Sequence, residues 1–159
     1  MPHDIPAAAV NAAVLELWNE ILGVQGPESE THVLDPDAGW APSLASVDAA
    51  AASRPIALGA TSIAGQTAHA TRALEYLEEL LDGHEPQVEW PATFLPAEVD
   101  EEAWARRRQQ LFTAAERVAA RLRGNPAWPH EHLLRIMSHL VHLAYHLGAV
   151  RQMMRVARD

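Results

Sequence analysis

The C-terminal segment from about Pro129 to Val156 constrains the fold most, because its pattern indicates one long helix. At 1.5 Å per residue, a helix of that length spans roughly 40 Å, which exceeds the diameter of a small domain. No segment elsewhere keeps the period-two alternation of a half-buried strand for long. The sequence therefore predicts an all-α chain.

Three further segments repeat apolar residues at helical spacing and end at residues that stop helices. They run from the cap Asp4 and Pro6 to Gly23, from Thr61 or Ser62 to about Leu81, and from the cap Asp100 to Gly124. With the long C-terminal segment they make four main helices, which is the arrangement of a four-helix bundle. A length of 159 residues fits one domain, which we expect to cover residues 1–159.

Two proline-rich connections, at 27–60 and 83–98, separate these helices. In the first, the alanine-rich stretch from Ser43 to Ser53 predicts one short helix. Connections of this length in a compact domain are usually functional. We expect both to shape a ligand pocket.

Composition excludes several kinds of chemistry. The chain contains no cysteine and no lysine, which excludes disulfides, thiolate nucleophiles, Schiff bases and the lysine of a phosphate-binding loop. A net charge of −9 opposes binding to nucleic acid. No apolar run is long enough to cross a bilayer, and no signal peptide opens the chain, so we expect a cytoplasmic protein.

Nine histidines are the feature that most needs explaining. His142 and His146 are four residues apart, so they lie on one face of the predicted C-terminal helix. Side chains at this spacing have Cβ atoms ~5–6 Å apart, near enough for two imidazoles to bind one metal ion. The alternative is that both are hydrogen-bonded histidines without a metal.

A third ligand comes from the second predicted helix, where His69 shares a stripe with Ala73 and Tyr76. Three histidines from two facing helices would form a three-ligand site with an open position for water or substrate. His139 competes with His69 for this role, or serves as a pocket residue beside the ligands. For the remaining histidines we expect no metal role: His3, His32, His84, His130 and His132.

Between Leu140 and Val150 the C-terminal helix is apolar nearly all round apart from its histidines. A helix of this kind is buried on more than one side, either within the bundle or against another subunit. We therefore expect a homodimer. Gly148 is expected to allow close helix approach, and Arg151 to pair with a carboxylate at the bundle end.

The segment His142-Leu-Ala-Tyr-His146-Leu-Gly148-Ala-Val-Arg151-Gln152 resembles the HxxxHxGxxRQ pattern of the DinB/YfiT-like superfamily of metal-dependent enzymes. The segment around His69 is similar to the upstream ligand segment of that family. The likeness extends to residues 31–54, to Trp90 and to Trp104.

This resemblance implies that His69, His142 and His146 are metal ligands in a four-helix bundle of up-down-down-up topology. It also implies a divalent metal, zinc or nickel most often, a dimer, and transfer or isomerisation reactions that use low-molecular-weight thiols. Some relatives carry a further histidine where this chain has Gln66.

The leading hypothesis is a metal-dependent thiol transferase or hydrolase acting on a small molecule. Its general acid or base is not identified, with Tyr76 and His139 as candidates. A non-catalytic metal-containing module that binds or senses a ligand is the alternative, and a purely structural helical protein is a third. The three imidazoles by themselves suit zinc, nickel, iron or copper.

Overall fold

The computed structural model describes residues 5–26, 28–57 and 59–156, and every regular element in these residues is helical. His3, the predicted cap Asp4 and Pro27 lie outside the described residues. A 3-10 turn covers Trp90–Phe94. The α-helices are α1 (Ala7–Leu22), α2 (Trp40–Ala45), α3 (Ala49–Ser53), α4 (Ile63–Leu81), α5 (Glu101–Gly124) and α6 (His130–Val156).

The predicted all-α class is confirmed, and α4 and α5 begin at the capping residues that were expected. The Ser62 side chain accepts a hydrogen bond from the backbone N–H of Gly65, and Asp100 accepts one from Ala103. Each bond satisfies a backbone donor that the first helical turn leaves without a partner. At the end of α1, Gly23 takes the left-handed conformation with φ +70°.

The four long helices enclose one apolar core. Helices α1 and α4 each pack against both α5 and α6. Three tryptophans are completely buried in this core: Trp18, Trp40 and Trp104. Burial of such large side chains is a major source of stability in a chain of this size.

The first connection contains two short helices, α2 and α3, so the short helix expected between Ser43 and Ser53 is present as α3, and the stretch before it belongs to a second helix. Asp48 separates them, because its side chain caps α3 by accepting from the N–H of Ala51. Trp40 fastens this segment to α6 by donating its indole N–H to the carbonyl of Leu143 at 3.2 Å. The connection therefore contacts α6 one residue away from His142.

Helix α6 is not buried all round within the single chain, so of the two alternatives for its apolar surface, burial entirely inside the bundle is not found. One stripe of apolar side chains on it is exposed: Leu134, Met137, Val141 and Tyr145. Gly148 continues this stripe, and a Cβ at that position would meet no atom within 4 Å. No helix of the described part of the chain approaches Gly148 closely. None of the described helices combines the length and apolar character needed to span a membrane.

A buried carboxylate anchors the segment after α1. Glu20 is only 2% exposed and accepts hydrogen bonds of 2.7–3.0 Å from the backbone N–H groups of His32, Val33 and Leu34. Burial raises the pKa of Glu20, but these three donors and the neighbouring His32 outweigh it and lower the pKa below its usual value. The ionised carboxylate is therefore part of the folded structure.

We expect Glu20→Ala to destabilise the fold by roughly 1–3 kcal/mol, because three backbone N–H groups lose their charged acceptor. Since the folded-state pKa is lowered, this contribution is present above the ordinary glutamate pKa of about 4.3 and is lost as the pH falls through the lower folded value. Urea unfolding of the native chain and of Glu20→Ala at pH 7 and pH 3 measures the difference in the free energy of unfolding. Glu16→Gln, which alters an exposed pair with His32, is the control; an equal loss in both variants would contradict the prediction.

Candidate metal centre

Three histidines predicted as ligands meet between α4 and α6. His69 lies on α4, and His142 and His146 lie one turn apart on α6. Each offers one ring nitrogen, and these nitrogens all lie within 4.8 Å of one another. This group could hold a metal ion. His139 does not belong to it.

Hydrogen bonds fix the ring orientation of two of the three histidines. His69 donates its Nδ1–H to the Thr93 hydroxyl at 2.6 Å, and that hydroxyl in turn donates to the carbonyl of Trp90. His146 donates its Nδ1–H to the Gln66 side-chain oxygen at 2.5 Å. In both rings the unprotonated nitrogen is therefore Nε2. Metal-binding histidines are held in their coordinating tautomer by partners of this kind.

The spacing of the ring nitrogens suits coordination. The Nε2 atoms of His69 and His142 are 3.0 Å apart. Two imidazole nitrogens bound tetrahedrally to zinc at 2.0–2.1 Å lie about 3.3 Å apart. The alternative is a hydrogen bond between these two nitrogens, in which His142 donates from Nε2. Metal binding replaces that bond with coordination by both lone pairs.

Burial keeps the cluster uncharged near neutral pH. Burial first, and then the neighbouring His142, lower the pKa of His69 to about 4. Burial, His142 and His69 together lower the pKa of His146 to about 3. The pKa of His142 is also lowered, by burial and by His139. The lone pairs are therefore free for a metal at pH values where an ordinary histidine is half protonated.

The second connection supplies one wall of the site through its 3-10 turn. The Phe94 ring stacks on His69, with ring centroids 4.1 Å apart and planes only 7° from parallel. This turn approaches α4 closely because Gly65 has no side chain: a Cβ there would lie 2.8 Å from the Phe94 carbonyl oxygen. The glycine thereby lets Thr93 and Phe94 reach His69.

A cavity of about 360 Å³ opens beside two of the ligands, His69 and His142. Its other walls are Ala73, Tyr76, Trp90, Ser138 and His139. The expectation that both connections shape the pocket is right for the second, through Trp90, and wrong for the described residues 28–57 of the first, which do not line this cavity. His139 is a pocket residue, as one of the two alternatives predicted.

Sequence reasoning missed two of the groups that support the ligands. Thr93 and Phe94 sit in a connection without periodicity, so no sequence signal pointed to them. Gln66 was noticed only as a departure from the family pattern, although it lies one turn before His69 on the same face of α4. Arg151 does not form the expected carboxylate pair: among the described residues it has no ion-pair partner.

Comparison with models of protein families finds no match for this chain, and comparisons with curated proteins and with solved structures find none either. The geometry of the site therefore carries the functional argument.

We expect Gln66→Ala to weaken metal binding by about 10- to 100-fold, because His146 loses the partner that fixes its tautomer. Competition with a chromophoric zinc chelator measures the change. Gln152→Ala, at an exposed position of α6, is the matched control. Unchanged affinity in Gln66→Ala would show that the hydrogen bond does not orient the ligand.

Proposed function

We propose that the chain is a metal-dependent enzyme of the DinB/YfiT-like class, with a zinc or nickel ion held by His69, His142 and His146. The observation that carries this proposal is the convergence of three uncharged imidazoles, two of them oriented by hydrogen bonds, beside an open cavity. Three protein ligands leave a position for water or substrate, which is typical of catalytic sites.

The proposed reaction is transfer of a low-molecular-weight thiol to a small electrophile, or hydrolysis of a small molecule. When bound, a divalent metal supplies the Lewis acidity that turns a thiol or water into a nucleophile at neutral pH. The chain has no cysteine, so the thiol would come from outside. Tyr76 and His139 both line the cavity and are the candidates for moving a proton.

The test is turnover by metal-loaded protein. Bacillithiol, mycothiol and glutathione are each supplied with 1-chloro-2,4-dinitrobenzene, and p-nitrophenyl esters report hydrolysis. We expect catalysis of at least one reaction, its loss in His146→Ala and its retention in His84→Ala, an exposed histidine outside the site. Saturable ligand binding without turnover would favour the binding or sensing module instead.

We further propose the up-down-down-up bundle topology and a homodimer. The packing of α1 and α4 against both α5 and α6 supports the bundle. The exposed stripe around Val141 and Tyr145, with open space at Gly148, supports a second copy that covers it. A glycine inside a helix costs roughly 0.5–1 kcal/mol relative to alanine, which a helix crossing at Gly148 would offset.

Sedimentation velocity tests the dimer. We expect a mass of twice 17.4 kDa for the native chain and of one chain for Val141→Glu. A charge at that position would be buried in the proposed interface without a partner. Ala50→Glu, at another exposed position, is the control. A single-chain mass for the native protein would overturn the dimer.

A further inference from the structure

We propose that the cavity beside the metal centre binds an uncharged aromatic ring of the substrate. The inference rests on the proposed function and adds the chemical class of the molecule that the site accepts. The evidence for it is the set of aromatic side chains in the cavity wall, which the three histidines do not need in order to hold a metal.

Two aromatic side chains form the recognition surface. The rings of Trp90 and Tyr76 meet nearly at a right angle, with centroids 5.2 Å apart and planes 85° apart. Trp90 also contacts His69 edge-on at 5.7 Å. Rings arranged this way offer both a face and an edge to a third ring, and each such contact adds to the burial of apolar area.

Trp90 remains 36% exposed although it is a large apolar side chain next to the site. A structural role would favour its complete burial, as found for the core tryptophan Trp104. A ligand ring seated against Trp90 would remove that surface from water, which is favourable for apolar area.

Among the described residues, the cavity lining carries no carboxylate and no guanidinium. Ala73 is apolar, and Ser138 offers only a hydroxyl. His139 donates its Nδ1–H to the carbonyl of Arg135 at 2.8 Å, so its free nitrogen is a neutral acceptor. Arg72, which packs on Tyr76 at 5.9 Å, is paired with Glu79. No charged side chain in the described lining would therefore compensate a charge on the far side of the ring from the metal.

The volume and position of the cavity limit the size of the ligand and the place of its reactive group. A volume of about 360 Å³ lies at the small end of ligand pockets and suits a single ring with a short substituent. His69 and His142 belong both to the metal centre and to the cavity wall. A reactive substituent on the ring would consequently lie beside the metal ligands.

Hydroxamic acids test this proposal, because acetohydroxamate and benzohydroxamate carry the same metal-binding group and differ in the ring. The protein is loaded with cobalt(II), and the visible absorption of cobalt reports binding of each probe. We expect benzohydroxamate to bind about tenfold more tightly or better, and 4-carboxybenzohydroxamate to lose most of that gain. Equal affinity for all three probes would overturn the proposal.

Two variants test whether the ring of benzohydroxamate binds against Tyr76 and Trp90. Tyr76→Ala and Trp90→Ala should each reduce the preference for benzohydroxamate severalfold while acetohydroxamate binds as before. Trp128→Ala, which removes a tryptophan outside the cavity, should leave the preference unchanged. If Trp90→Ala disturbs His69, the result for Tyr76→Ala is decisive, because the described ring contacts of Tyr76 are with Trp90 and His139. An unchanged preference in Tyr76→Ala overturns the proposal.

The same experiment separates this inference from the proposed function. Cobalt that fails to load overturns both, because the ring is proposed to bind beside a metal. Cobalt that loads, with equal affinity for the acetyl and benzoyl probes, overturns only the aromatic specificity.

Discussion

Replacing His146 with alanine is expected to abolish stoichiometric metal binding. Protein purified without a histidine tag should carry about one zinc or nickel ion per chain, and His146→Ala should carry almost none. The loss should exceed the 10- to 100-fold effect of removing a supporting partner, because a ligand itself disappears. Elemental analysis after dialysis against trace zinc measures it.

His139→Ala is the matched control for this prediction. His139 lies on the same helix and lines the cavity, yet it is not among the nitrogens that converge. It should retain the metal, as should the exposed His84→Ala. Circular dichroism establishes that His146→Ala remains folded, and His146→Gln provides a larger side chain for the same position. Full metal content in both His146 variants would overturn the three-histidine centre.

Metal is expected to raise the melting temperature by roughly 8–16 °C. A ligand that binds only the folded state, at a free concentration 1,000 times its dissociation constant, stabilises by about 4 kcal/mol. For a chain of this size each kcal/mol corresponds to roughly 2–4 °C. Calorimetry with and without zinc, starting from protein stripped with a chelator, measures the shift.

The stabilisation should persist at pH 6. An ordinary histidine, with a pKa of about 6.5, is mostly protonated there, and protons would compete with the metal. Burial lowers the pKa of His69 to about 4 and that of His146 to about 3, so these two rings remain neutral. His69→Ala is the control and should show no shift at either pH. A shift of equal size in His69→Ala would place the metal elsewhere.

The helices were predictable because their signals are local. The capping side chains of Ser62 and Asp100 and the left-handed turn at Gly23 act within a few residues of the helix ends. The same locality predicted His142 and His146 as a pair, since one helical turn brings them together whatever the rest of the chain does. The residue pattern alone left His69 and His139 as competing third members, and the packing of α4 against α6 brings His69 into the group.

The surroundings of the metal centre were not predictable in the same way. Thr93 and Phe94 reach His69 only because the 3-10 turn packs over Gly65, and that contact joins residues distant in sequence. The sequence also left open whether α6 is covered within the bundle or by another subunit. Apolar residues at Val141 and Tyr145 suggested burial, yet the chain provides no element to cover them within its described residues.

The helical class and the ends of α4 and α5 follow from the sequence, and so does the position of His142 and His146 on one helix face, because each depends on spacing along one helix. The tertiary structure set which nitrogens point inward, that His69 and not His139 joins the cluster, how far the pKa values fall, and that Trp90 and Tyr76 form a cavity wall. Those properties depend on burial and on contacts between segments far apart in the chain, which periodicity does not encode.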